Sequence, residues 1–248
     1  MSTSAPAVAL AVAVGAAALV LLLRRRRQRS PPVIAEGLCA RRKPVDAAAD
    51  GGAGASGCIM LVPQTFSDAF QLEYSVHRVS RLLRSDVELV FRPDLDDAYK
   101  QDPRGEAAGV SKDAYLQECL LAVPTWQPAK GDLSEISYEV NQERRELLAN
   151  FDVWAAAVRP RLDWWSDCSC PMEGNARYGK STSTIYNELE GLTQLLRYDA
   201  IPIGCCGIVL HPKWQRRAYP VTFFTTAPLE TLKAVLADVE RRGAKKAA

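Results

Sequence analysis

Histidine is nearly missing from this chain: His77 and His211 are the only two in 248 residues. Neither has a serine or cysteine in a nucleophile elbow close by, so a catalytic triad finds no support. The seven cysteines form no C-x-x-C pair, which removes the usual ligand spacing of a structural zinc site. No stretch repeats another, so a repeat architecture is excluded. An excess of basic charge is lacking too. Thirty-one Lys and Arg face 29 Asp and Glu, a formal net charge of +2. Residues 1–57 carry eight basic side chains against Glu36, Asp46 and Asp50, a net +5 that leaves −3 for the remainder. A slightly acidic domain argues against a nucleic-acid partner, whose phosphates need a basic face.

Charge is absent altogether from residues 5–23, a run of nineteen that ends in Arg24, Arg25, Arg26, Arg27 and Arg29. At ~1.5 Å rise per residue, a helix of that length roughly spans a ~30 Å hydrocarbon core. A secretory signal would carry its positive charge before the apolar region, and a transit peptide would scatter arginines along it. Here the order is reversed, which points to a retained single-pass anchor. Eight of the nineteen residues are alanine, so insertion is favourable but modest. The arginines stay on the side of insertion and meet anionic lipid. The N-terminus is then translocated and the domain faces matrix or cytosol, with a mitochondrial membrane as the expected location. On those reducing sides the cysteines are expected as thiols.

The expected organisation is a transmembrane anchor over residues 1–29, a flexible Ala-, Gly- and Asp-rich tether over 30–57, and one soluble domain over 58–248. In that domain the apolar run 58–62 reads as a buried strand. Ala69, Leu72, Val76, Val79 and Leu83 recur at helical spacing, and residues 87–91 read as a second strand. Together they suggest a βαβ unit. Residues 93–110 read as a long loop. Ser111 caps a helix running to Val123, and a capping box at residues 132–135 opens another that continues to Pro160. Ile185, Leu189, Leu192 and Leu196 line one side of a further helix. Strands over 201–210 and 218–225 precede a last helix with Leu229, Leu232, Leu236 and Val239 on its stripe, ended by Gly243. The fold class expected is thus α+β (or α/β), with a βαβ unit, a C-terminal ββα and a sheet of at least four strands.

Three groups of residues invite a chemical reading. Residues 174–181 satisfy G-x-x-x-x-G-K-S through Gly174, Gly179, Lys180 and Ser181. In a P-loop such glycines let backbone N–H groups wrap phosphate, while the lysine reaches the outer phosphates. Yet the polar segment 165–173 is not the buried strand from which a P-loop hangs. Cys168, Cys170, Cys205 and Cys206 could offer four thiolates to a metal. Neighbours on a strand, however, point to opposite faces. Asp94, Asp96 and Asp97 could gather magnesium, but read more simply as a solvated acidic loop. Trp154, Trp164 and Trp165 suit core or partner contacts. No catalytic residue and no cofactor is expected. The reading that results is a non-catalytic accessory or assembly subunit of a membrane complex, with lipids and other subunits as partners. The alternatives are a membrane-tethered enzyme using nucleotide or metal at residues 174–181, and a membrane-anchored adaptor for a soluble partner.

Overall fold

A computed structural model describes residues 57–203 and 206–247. The expected anchor with its arginines and nearly all of the expected tether lie outside the described residues. Among the described residues, no helix is long and apolar enough to cross a membrane.

The domain opens with a hairpin rather than a βαβ unit. Strand β1 (Ile59–Ser67) pairs antiparallel with β2 (Leu72–Arg78), from Ile59 opposite Arg78 to Ser67 opposite Leu72. β1 lies at a sheet edge and is largely exposed, so the expected buried strand is a half-solvated one. The expected helix over residues 69–83 fails for a geometric reason. Leu72 and Val76 are four apart, which is one helical turn but also two strand repeats, and both are buried on one face of β2. Helix α1 (Arg81–Val90) starts only after Ser80, whose hydroxyl accepts the Leu83 N–H at 3.2 Å. Residues 87–90, read as strand, are its last turn. Helix α2 (Arg92–Gln101) replaces the expected long loop, with Pro93 in the first turn where its missing N–H costs nothing.

Ser111 does cap α3 (Lys112–Cys119), accepting the Ala114 N–H at 3.3 Å. The chain then turns at once into β3 (Leu121–Pro128), an interior strand not expected from the sequence. Asp132 closes a local turn, and the cap of α4 (Tyr138–Val158) is Ser137. Ile136, just before that cap, is 92% exposed. A 3₁₀ turn over Arg159–Arg161 leads to the short edge strand β4 (Ser166–Cys168). Helix α5 (Glu188–Leu196) is capped by Asn187. The expected strand 201–210 is a hairpin, β5 (Ala200–Ile203) against β6 (Cys206–Val209), forming its own small sheet. Strand β7 (Ala218–Thr225) and helix α6 (Leu229–Ala247) complete the chain. β7 does not pair with β5 or β6, so there is no C-terminal ββα, and Gly243 lies within α6 rather than ending it.

The main sheet runs β1-β2-β3-β7-β4 with every pairing antiparallel. The domain is therefore mixed α+β. Helices cover both faces. Leu121, Val123, Tyr219, Val221 and Phe223 pack with Phe151, Trp154 and Val158 of α4 and Leu232, Leu236 and Val239 of α6. On the other face Ala122 and Phe224 meet α1, α2 and α3 through Leu83, Val87, Leu95 and Leu116. Beside them Trp126 and Ala218 pack with Leu192 and Val209. A strand buried on both faces shows no polar alternation, which is why β3 carries no period-two signal.

Candidate functional site

The G-x-x-x-x-G-K-S loop is held from within. The Tyr178 and Gly179 N–H groups donate to Asp167 at 3.0 and 2.9 Å, and the Cys168 N–H donates to the same carboxylate at 2.7 Å. The Lys180 N–H donates to Asp94 at 2.7 Å, while its Nζ pairs with Asp97 at 2.8 Å. A Cβ at Gly179 would fall 2.1 Å from the Asp94 carboxylate, so the close approach of that carboxylate explains the glycine. Internal carboxylates thus hold the donors that a phosphate would need, and three aspartates surround the place. Ser181 is exposed, and α5 begins only at Glu188. The loop and the Asp94–Asp97 pair, separate in the sequence, are one structural unit.

That unit borders a cleft of about 640 Å³ lined by Asp94, Asp97, Asp163, Arg159, Trp164 and Trp165, among others. Behind it, Asp102 accepts from Arg104 Nε at 3.0 Å and from the Tyr115 hydroxyl at 2.9 Å. Burial raises the Asp102 pKa, but these donors outweigh it and hold the carboxyl below its ordinary value. Arg104 lies over the Trp164 ring at 4.1 Å, and Arg159 over Tyr178 at 4.0 Å. Trp165 packs on Phe91 at 5.5 Å, and Trp154 is core.

The cysteines divide. Cys168 is wholly buried on β4, and burial drives its thiol pKa well up. Cys170 is buried too, yet it lines a second cleft opposite Ile201, Pro202 and Gly207 of the β5–β6 hairpin. Cys206 begins β6, opposite Ile203, and Cys205 lies outside the described residues. Among the described residues no three His, Cys, Asp or Glu side chains converge as a metal site. The histidines are structural. His77 is buried beside the Ser75 hydroxyl at 2.9 Å, and burial lowers its pKa to about 4. His211 Nδ1 accepts the Lys213 and Trp214 N–H groups at 3.2 and 3.3 Å, so its Nε2 carries the proton shared with Glu73 at 3.1 Å.

The second cleft, about 740 Å³, holds the residue that sequence reasoning missed. Glu188 opens α5 and lines the cleft, and its carboxylate accepts from the Thr222 hydroxyl and from the Ser169 hydroxyl at 2.9 Å. Burial pushes its pKa up to about 7 against the pull of both hydroxyls. Tyr186 lines the same cleft, and its buried hydroxyl has no partner. A glutamate after an Asn cap looks like an ordinary solvated first-turn acid. Its raised pKa depends on its setting between Thr222 and Ser169, which no local pattern connects to it.

Residues 60–237 match the family model described as methylmalonic aciduria and homocystinuria type D protein. The chain belongs to this family. A curated relative, the cobalamin trafficking protein CblD of Gallus gallus, is 24% identical over 167 residues, which is 66% of this chain and 49% of the relative. The chain thus spans about half the length of that relative. Membership overturns the expected accessory or assembly subunit of a membrane complex, along with its lipid and subunit partners and its single-pass mitochondrial placement. The tethered nucleotide- or metal-dependent enzyme falls with it. The expectation ran from one apolar stretch to the role of the whole chain. The match runs over the folded domain, and an attachment segment carries no information about what a domain handles.

Proposed function

We propose that this chain takes part in the intracellular handling of cobalamin, passing the vitamin on rather than consuming it. One observation carries the reading: the family match covers nearly the whole described domain, and a relative in the comparison is a cobalamin trafficking protein. The geometry is compatible with a handling role. Both clefts are of the size that holds a drug-sized molecule. A corrin with its nucleotide tail is larger, so either cleft would hold an edge of it and leave the rest for a second protein.

The test is made in cells of the chain's own source with its gene disrupted. Radiolabelled cobalamin should still be taken up, but the fraction loaded onto cobalamin-dependent enzymes should fall and return on re-expression. Unchanged loading in the disrupted cells would remove the proposal.

A further inference from the structure

The cleft beside α5 has an unusual balance of groups. Its walls include Pro171, Ile185, Leu189, Ile201 and Pro202, and its charged lining residue is Glu188. Ser169 and Thr222, the donors to that carboxylate, are both almost fully buried, so the site is built into the fold. No cation contributes to the state of Glu188. A half-buried carboxylate without a cation is a costly arrangement that an incoming positive charge would relieve.

The rim says what kind of molecule brings the charge. Ile185 is 64% exposed and Met172, next to Pro171, is 52% exposed. Ile185, Tyr186 and Asn187 also line a smaller groove, together with Leu89, which is exposed as well. A small amine inside the cleft would leave these apolar side chains in water, whereas a protein surface would cover them. Large apolar groups around one half-buried charge are the anatomy of an interface anchor.

We infer that the cleft beside α5 is a docking socket for a partner protein, and that it receives a lysine or arginine side chain whose head pairs with Glu188 while flanking apolar residues cover Ile185 and Met172. An apolar stem with a cationic head suits both the walls and the floor. The inference stands apart from the cobalamin reading, since it concerns a protein side chain.

Binding of the cation requires ionised Glu188, so affinity should rise with pH. The groups facing this carboxylate are Ser169 from the loop after β4, Thr222 and Tyr219 from β7, Cys168 from β4 and Tyr186 before α5. Burial raises the pKa of Tyr219, Cys168 and Tyr186, so all three stay neutral near pH 7. Glu188 alone of these titrates in the neutral range.

The test uses the full chain with n-butylguanidinium as probe and n-butylurea as its neutral counterpart, followed by calorimetry. The guanidinium should bind about tenfold or more tightly than the urea at pH 8. With Glu188 titrating at about 7, it should bind about tenfold more weakly at pH 6. Glu188→Gln keeps an acceptor oxygen for one hydroxyl and turns an amide N–H to the other, which can rotate to accept it, so the fold is preserved and the preference for the cation should be abolished. A second arm compares a short peptide, arginine between leucines, with its citrulline analogue. The arginine peptide should exceed butylguanidinium in affinity, and Ile185→Ser should remove that excess alone. Equal binding of guanidinium and urea, no detectable binding of either, or a preference that survives Glu188→Gln would overturn the socket. A peptide that binds no better than the small probe would overturn the protein partner. None of these outcomes bears on cobalamin loading in cells.

Discussion

Glu188 also makes a prediction about the chain alone. Its pKa lies near 7 in the fold against 4.5 for an ordinary glutamate. Between those values the folded state keeps a proton that the unfolded state has lost, so stability is highest at the acid end and falls as pH rises through 7. The loss amounts to up to about 3 kcal/mol. Glu188→Gln should flatten this part of the profile and make the protein more resistant to urea than wild type at pH 8. Equal slopes of urea midpoint against pH in both proteins would contradict the account. Lys180 gives the opposite case. It is exposed and paired with Asp97, in a loop whose donors are already taken by Asp94 and Asp167. Lys180→Ala should leave the melting temperature where it was, and millimolar ATP with magnesium should raise it in neither protein. A nucleotide-induced rise that the mutation removes would restore a phosphate site.

Among the elements, α6 is pinned by its one glycine. A Cβ at Gly243 would come within 2.6 Å of the Ala69 Cβ and 2.9 Å of the Phe70 ring, in the turn between β1 and β2. Alanine gains about 1 kcal/mol of helix propensity there, but forcing that turn away costs ~1–3 kcal/mol. Gly243→Ala should therefore be neutral to destabilising by about 2 kcal/mol in denaturant titrations. A gain in stability would show that the helix and the turn are not in close contact. The same turn shows how far the sequence could be read. The stripe of α6 and the cap at Ser111 are local and legible. β2 was not, because Leu72 and Val76 satisfy two periodicities at once. β3 was not, because a strand covered on both faces has no polar side to announce it. For the site, residues 174–181 stood out by spacing alone, yet their donors are taken by carboxylates some 10 to 90 positions away, which no motif encodes. Glu188 was silent for the same reason, since Thr222 lies on another element.

At the scale of the molecule, all five strands of the main sheet and both hydrophobic layers lie after Cys58. A fragment of residues 57–248 should consequently fold by itself and unfold in one cooperative transition, checked by coincident fluorescence and circular dichroism. Separate transitions would mean that residues before 57 hold part of the core. The position of β7 has a consequence for how the protein is born. Late among the described elements, β7 is the interior strand that joins β3 to β4. Until it arrives, β3 has an open edge and the α4 layer lacks the residues it packs on. The partners are distant, with Leu121 opposite Thr225, and pairing of that range is slow. Until β7 emerges, a nascent chain carries an unfinished sheet in need of a chaperone's cover, and a stop codon anywhere before β7 would leave a product that chaperones hand to proteases.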